Sequence, residues 1–297
     1  MGARASVDNA SREETSAGGI EYHDYAFGPP ASMTFPPGLC QIKEDWTPCV
    51  LKLKTVFTPN SRVFTFGTPD PGLPLGLATC ACILARCFIN GEEVIRPYTP
   101  VTSNVVVGEF DLMVKVYEDG KMSNYLDNVK IGDVVEFKHI PFNVKIQYPF
   151  NKRRIGMLVG GTGLAPMVQA LHAILGFEND TTQVDMLYGN RYAEDVLGRT
   201  ALDNWTEIYS ERLHVTYLLS REDTTHPDWD GEFGIVDQPL LEMKIFMEKF
   251  PDPKDDCLIF ICGPPSFYES LCGPRDDPKL TGILKELGFS ADQVVKF

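Results

Sequence analysis

The segment Gly160-Gly161-Thr162-Gly163-Leu164-Ala165-Pro166 stands between an apolar strand pattern and a helical one. Glycines let a backbone approach a diphosphate, and the free N–H groups and positive dipole end of the next helix attract its charge. Pro166 suits a first helical turn, where its missing N–H costs nothing. Strand-to-helix turns are also glycine-rich for steric reasons, and this spacing is neither GxGxxG nor a Walker loop, so the loop alone does not decide. Two other segments offer matching chemistry. In Arg96-Pro97-Tyr98-Thr99 an extended backbone puts Arg96 and Tyr98 on one side and Thr99 on the other. A guanidinium takes a diphosphate through two hydrogen bonds and a phenol ring lies against a planar heterocycle, although a barrel strand with a surface arginine fits as well. Gly120-Lys121-Met122-Ser123 offers a turn with backbone donors, a hydroxyl and a cation ahead of a short helix. A second diphosphate cradle and an ordinary helix capped by Ser123 both fit there.

Two kinds of pattern carry these segments. From Trp46 to about Val144 the signals are those of strands: Leu51, Leu53 and Thr55 alternate with lysines, Val63 to Phe66 is β-branched and aromatic, and Leu112, Val114 and Val116 alternate with Met113, Lys115 and Tyr117. Short strands with Pro- and Gly-rich turns predict an antiparallel barrel. After Asn151-Lys-Arg-Arg154 the pattern changes. Ile155–Val159, Val184–Tyr188, His214–Leu219 and Leu258–Ile261 read as strands, with helical stretches such as Met167–Leu175 and Pro239–Phe250 between them. That alternation predicts a parallel sheet covered on both faces. The expected organisation is a flexible N-terminal arm over 1–45, a barrel over 46–150 and an α/β domain over 151–297.

Composition sets the outer limits. The chain has 297 residues, 43% apolar and 23% charged, which excludes disorder over the whole chain. Its 27 Lys plus Arg against 41 Asp plus Glu leave a net charge of −14, which disfavours a general nucleic-acid binder. The eight cysteines form no CxxC pair and read as reduced structural thiols, with no metal site expected. The longest weakly polar stretch, Leu75 to Ile89, is interrupted by Thr79 and Arg86 and is too short to span a bilayer. Asp8, Glu13 and Glu14 argue against a transit peptide, so a cytoplasmic location is expected. Met-Gly-Ala-Arg-Ala-Ser matches the N-myristoylation pattern at Gly2; a disordered tail reads equally well, and one acyl chain would give only weak, reversible membrane association.

Arg-Pro-Tyr-Thr-Pro at 96–100, Lys-Val-Tyr at 115–117, Gly-Lys-Met-Ser-x-Tyr-Leu at 120–126, Gly-Gly-Thr-Gly-x-x-Pro at 160–166 and Cys-Gly-Pro-Pro at 262–265 occur together in this order. In that order they resemble the NADH-cytochrome b5 reductase family of the ferredoxin–NADP reductase superfamily. The resemblance covers about residues 46–297 and implies a β plus α/β fold: an antiparallel FAD-binding β-barrel, then a Rossmann-like parallel-sheet domain for NADH or NADPH. It implies that Arg96, Pro97, Tyr98, Thr99, Met113, Lys115, Tyr117, Gly120, Lys121, Met122 and Ser123 serve FAD. Gly161, Thr162, Gly163, Pro166, Cys262, Gly263 and Pro264 would serve the nicotinamide. Thr99, Lys115, Thr162 and Cys262 would be the catalytic set, with Cys262 orienting hydride transfer rather than attacking.

Hydride transfer from NAD(P)H to flavin N5, then single-electron release to a haem acceptor such as cytochrome b5, is the implied function. A reductase for a ferredoxin-like protein, an oxygenase or a quinone, and a catalytically silent flavin or nucleotide sensor, are the alternatives. A monomer, peripheral on the cytosolic face of the endoplasmic reticulum or the mitochondrial outer membrane, is expected. Three departures stand out. Leu77-Ala78 follows Leu73-Pro74-Leu75-Gly76 where the family has Gly-Gln-His, and Ala165 replaces a threonine. Where the NADH-specific members have an acid for the adenosine ribose, Ser220-Arg221-Glu222 would instead donate to a 2′-phosphate, or Arg221 would pair with Glu222 on the surface. An acidic haem protein would also need cations at the flavin edge, and Lys121, Lys145, Lys152, Arg153 and Arg154 are the candidates.

Overall fold

A computed structural model describes residues 27–140, 145–222, 229–242 and 256–297. The alternating segment folds as β1 (Thr47–Thr58), β2 (Ser61–Gly67), β3 (Ile83–Ile89), β4 (Glu92–Tyr98), β5 (Glu109–Lys115) and β6 (Val134–His139). They form one antiparallel, barrel-like sheet in the order β4-β3-β6-β1-β2-β5. The rings of Phe66, Phe110 and Phe137 fill its interior with centroids 4.9 to 5.7 Å apart, in stacked and edge contacts. Period-2 geometry sends Phe64, Leu112 and Val114 inward as well. The intervening Val63 and Met113, paired in register, point the other way into a core shared with the second sheet. Strands β4 and β5 are therefore the two edges, and α1 (Lys121–Asn128) lies against β3 and β4.

The second sheet is wholly parallel, in the order β10-β9-β8-β7-β11-β12. Its strands are β7 (Arg154–Gly160), β8 (Gln183–Asn190), β9 (Leu213–Leu219), β10 (Glu232–Phe233), β11 (Cys257–Cys262) and β12 (Val294–Lys296). The helix α2 (Leu164–Leu175) is apolar around most of its circumference and buried along its whole length between the sheets and Trp205 of α3 (Arg199–Ile208). From β7 the chain lays down β8, β9 and β10 on one side, then returns to place β11 on the other. Strand order thus reverses between β7 and β11, and in open α/β sheets ligands bind outside the carboxyl ends of the strands at that point.

Residues 27–45 depart from the expected arm. Phe27 stacks on Phe57 at 5.2 Å, Trp205 Nε1 donates to Gly28 O at 3.0 Å, and Ala31 N donates to His172 Nδ1 at 3.1 Å. Cys40 and Ile42 are buried in the barrel, and Gln41 Nε2 donates to Pro74 O at 2.7 Å. Isolated anchors on an irregular backbone leave no periodicity to read. Residues 1–26, including Gly2, Asp8, Glu13 and Glu14, lie outside the described residues. So does most of the helical stretch expected to Phe250, of which α4 (Gln238–Leu241) is described. All eight cysteines are free thiols, and every one except the half-buried Cys262 is buried. Among the described residues no helix is long and apolar enough to cross a membrane.

Candidate functional site

The barrel's contribution gathers at its two sheet edges. Arg96 and Pro97 are exposed near the end of β4; Tyr98 and Thr99 are half-buried. Arg96 Nη1 donates to Ile95 O at 2.7 Å, and its guanidinium has no carboxylate partner among the described residues. Burial raises the Tyr98 phenol above its ordinary value, with the Arg96 charge pulling the other way. Gly120 caps α1 with no side-chain hydrogen bond, so the first N–H groups of the helix are left for an anion. Ser123 is not the cap: its hydroxyl donates to Gly120 O at 3.1 Å and accepts from Tyr117 N at 3.2 Å. A Cβ on Gly120 would stand 2.3 Å from that hydroxyl, so a larger residue would have to turn Ser123 out of these hydrogen bonds. Tyr117 is exposed and Lys121 reaches Glu92 at 3.2 Å, a solvated pair of small energetic weight. Met122 is buried in the barrel and Met113 in the shared core, so at the surface they have only backbone to offer.

The parallel sheet contributes backbone at the carboxyl ends of β7 and β11. Gly161 has φ +54° with open space where a Cβ would point, whereas a Cβ on Gly163 would lie 2.1 Å from Cys262 O. The turn Gly161–Gly163 therefore rests directly on the Cys262–Gly263 backbone, and β5 lies against the same turn. Thr162 is half-buried and Pro166 fully buried; Gly263 is half-buried and Pro264 exposed. Burial pushes the Cys262 thiol up to about 11, against the pull of a Tyr268 hydrogen bond and Arg275, so it stays protonated at neutral pH. At the end of β9, Ser220 Oγ donates to Asn190 O at 3.1 Å and Arg221 N to Arg191 O at 3.0 Å. Glu222 accepts from Ala193 N at 3.1 Å instead of pairing with Arg221.

Polar links across the domains escaped sequence reasoning. Lys115 Nζ, at the end of β5, reaches Asp195 Oδ1 at 2.8 Å, and Asn60 Nδ2 donates to the same oxygen at 2.6 Å. Burial alone would raise the Asp195 carboxyl, but the hydrogen bonds from Asn60 and Lys115 and the Lys115 charge outweigh it and hold it below the ordinary range. Gln169 of α2 bonds barrel backbone through both ends of its amide. Nothing in the sequence pairs residues 69 to 135 positions apart. The expected basic patch, in contrast, is divided. Arg154 opens β7 with Arg153 just before it, and Arg153 and Arg154 reach Asp256 at 3.5 Å and Asp185 at 3.9 Å. Seven residues at about 3.3 Å each put them about 20 Å from the glycine turn, at the wrong end of the sheet.

Both domains have counterparts among known proteins. Residues 48–141 match the family model of the oxidoreductase FAD-binding domain, and residues 157–273 that of the oxidoreductase NAD-binding domain. The chain is 35% identical over 260 residues to NADH-cytochrome b5 reductase 2 of Meyerozyma guilliermondii, covering 86% of this chain and 85% of that one. With the Saccharomyces cerevisiae NADH-cytochrome b5 reductase 2 the identity is 38%, over 80% of this chain and 78% of the relative. The chain belongs to the NADH-cytochrome b5 reductase family. Among solved structures, the cytochrome b5 reductase domain of Ulva prolifera nitrate reductase matches with TM-score 0.72 and 28% identity, over 90% of this chain and 100% of that one. This NADH-cytochrome b5 reductase family member is thus an oxidoreductase with FAD- and NAD-binding domains. The uncapped α1, the Gly120 turn and Arg96, without a carboxylate partner among the described residues, fit a diphosphate-bearing flavin.

Proposed function

We propose that the chain carries electrons from NADH or NADPH through FAD to cytochrome b5, with flavin on residues 46–150 and nicotinamide on 151–297. The observation that carries this reading is convergence: edge strand β5 and the Cys262 strand end both lie against the Gly161–Gly163 turn. Bound FAD supplies the conversion of a two-electron donor into single electrons. Arg96 and the N–H groups of Lys121, Met122 and Ser123, freed by the Gly120 turn, hold its diphosphate. Pro97, Tyr98 and Tyr117 line the ring, and Thr99 hydrogen-bonds near N5. Met113 and Pro166 support this wall from the core. Gly161, Thr162, Gly163, Gly263 and Pro264 hold the nicotinamide half. Hydride transfer needs alignment more than acid–base groups, so the protonated Cys262 orients and Lys115, fixed by Asp195, sets the charge near the flavin edge.

Ser220 and Arg221 take the adenosine ribose side. Arg191 and Arg221 are neighbours through a backbone bond, both exposed, while Glu222 is turned to Ala193. Two guanidinium groups suit a 2′-phosphate dianion, which favours use of NADPH beside NADH. Steady-state kinetics with both cofactors test this: a preference for NADH of about a thousandfold, roughly 4 kcal/mol, overturns it. For the acceptor, catalytic efficiency with cytochrome b5 should exceed that with a ferredoxin-like protein or a quinone; the reverse order overturns the acceptor assignment. The protein acts as a cytosolic monomer, touching the endoplasmic reticulum or mitochondrial outer membrane at most weakly through a myristoylated Gly2. Native protein with an unmodified Gly2, read by intact mass, removes that contact.

A further inference from the structure

Gln169 sits on α2, the helix launched by the glycine turn, and is 8% exposed. Its Oε1 accepts from Cys80 N at 2.6 Å and its Nε2 donates to Pro100 O at 2.6 Å, both bonds buried. A backbone N–H can only donate and a carbonyl can only accept, so the amide orientation is fixed by its partners. Both partners belong to the barrel side. Pro100 directly follows Thr99, and Cys80 holds the left-handed φ of +62°, uncommon for a residue with a Cβ. The Cys80 thiol donates in turn to Pro166 O at 3.1 Å, in the first turn of α2.

We infer that Gln169 is a positioning residue for hydride transfer: its amide locks α2 and the Gly161–Gly163 turn to the Thr99–Pro100 backbone and so sets the distance from donor to acceptor. This rests on the proposed placement of flavin beside Thr99 and nicotinamide at the glycine turn. Glutamine is specified because one planar group must accept at one end and donate at the other. Leucine does neither, and an ionised glutamate only accepts. A misplacement of reacting atoms by about 1 Å costs on the order of a hundredfold in rate, so small slack between the domains is enough to register.

The test is the limiting rate of anaerobic flavin reduction at saturating NADH, measured on FAD-loaded protein. Gln169→Leu is expected to lower that rate about tenfold while FAD content stays whole and the NADH dissociation constant moves less than about twofold. Gln169→Glu keeps the bond from Cys80 but sets a charge against Pro100 O, and regains the second bond only when protonated. Its rate should therefore rise toward wild type as the pH falls. The titratable groups facing this position are the Cys80 thiol, raised far above neutrality by burial, with Cys262 beyond it, and His172 on the adjoining turn of α2, which shares with Gln169 the lining of a small pocket beside Asn104. Wild type carries these same groups, so its own profile is the control. An FAD-replete Gln169→Leu with a wild-type rate overturns the inference, as does a Gln169→Glu profile parallel to wild type; the latter decides alone if the leucine variant does not fold. If wild type itself is not reduced by NADH or NADPH, the proposed function falls and takes this inference with it.

Discussion

The two halves of the proposed site are built by different means. On the barrel, the proposed flavin contacts are mostly side chains on edge strands, Arg96 and Tyr98 on β4 and Lys115 at the end of β5, joined by the N–H groups that open α1. On the parallel sheet, the proposed contacts are mostly backbone. Gly163 has no Cβ because Cys262 O occupies that space, and Gly161 adopts a left-handed turn over open space. A strand projects alternate side chains from its faces, whereas a topological switch point gives close approach to main chain. Damage to the two halves should accordingly differ in kind as well as size.

The largest effect is expected at Gly163→Ala. Its Cβ would meet backbone at 2.1 Å, which a flexible side chain cannot relieve. Stability should fall by about 3 kcal/mol in thermal unfolding and hydride transfer by about a hundredfold, whereas Gly161→Ala should cost only about 1 kcal/mol of backbone strain. Equal effects of the two would break the distinction between packing and turn glycines. Next, Arg96→Ala should weaken FAD by about 2 kcal/mol, roughly thirtyfold in dissociation constant, without unfolding the barrel. A purified variant that keeps full flavin through dilution contradicts that role.

A smaller effect belongs to the link between the halves. The Asp195 carboxyl is held below its ordinary pKa, so its contribution is complete above that ordinary value and is lost as pH falls through the depressed one. Acid unfolding followed by fluorescence should show this limb in wild type and lose it in Asp195→Asn; an unchanged limb would assign the acid transition elsewhere. The smallest effect is expected at Arg153→Ala, which should change electron transfer to cytochrome b5 by less than about twofold, since its charge sits at the far end of β7 and already faces Asp256. A salt-dependent loss much larger than this would restore the divided patch as a docking surface.

Much of this arrangement was legible in the sequence. A glycine between strand and helix patterns marks close backbone approach, and an arginine two residues before a tyrosine on a strand marks one face, so local spacing offered both segments as candidates and the family resemblance gave them roles. Strand alternation separated Leu112 and Val114 from Met113 correctly, although what Met113 meets is the second domain. The links between domains were not legible. Asp195, Asn60 and Gln169 are single polar residues whose partners are set by tertiary contact alone. Residues 27–45 dock through isolated anchors such as Phe27 and Ile42, which carry no period. The basic patch is divided for a directional reason: Arg153 and Arg154 adjoin the domain boundary in sequence, but β7, which begins at Arg154, runs away from them toward the glycine turn.

Anaerobic mixing of the FAD-loaded protein with NADH, and separately with NADPH, bears most directly on the claim that the two cradles serve one hydride transfer. Full bleaching of the flavin absorption by at least one nucleotide within the mixing experiment is the predicted result. A flavin spectrum unchanged by either would contradict the account and leave a nucleotide-binding protein without this chemistry.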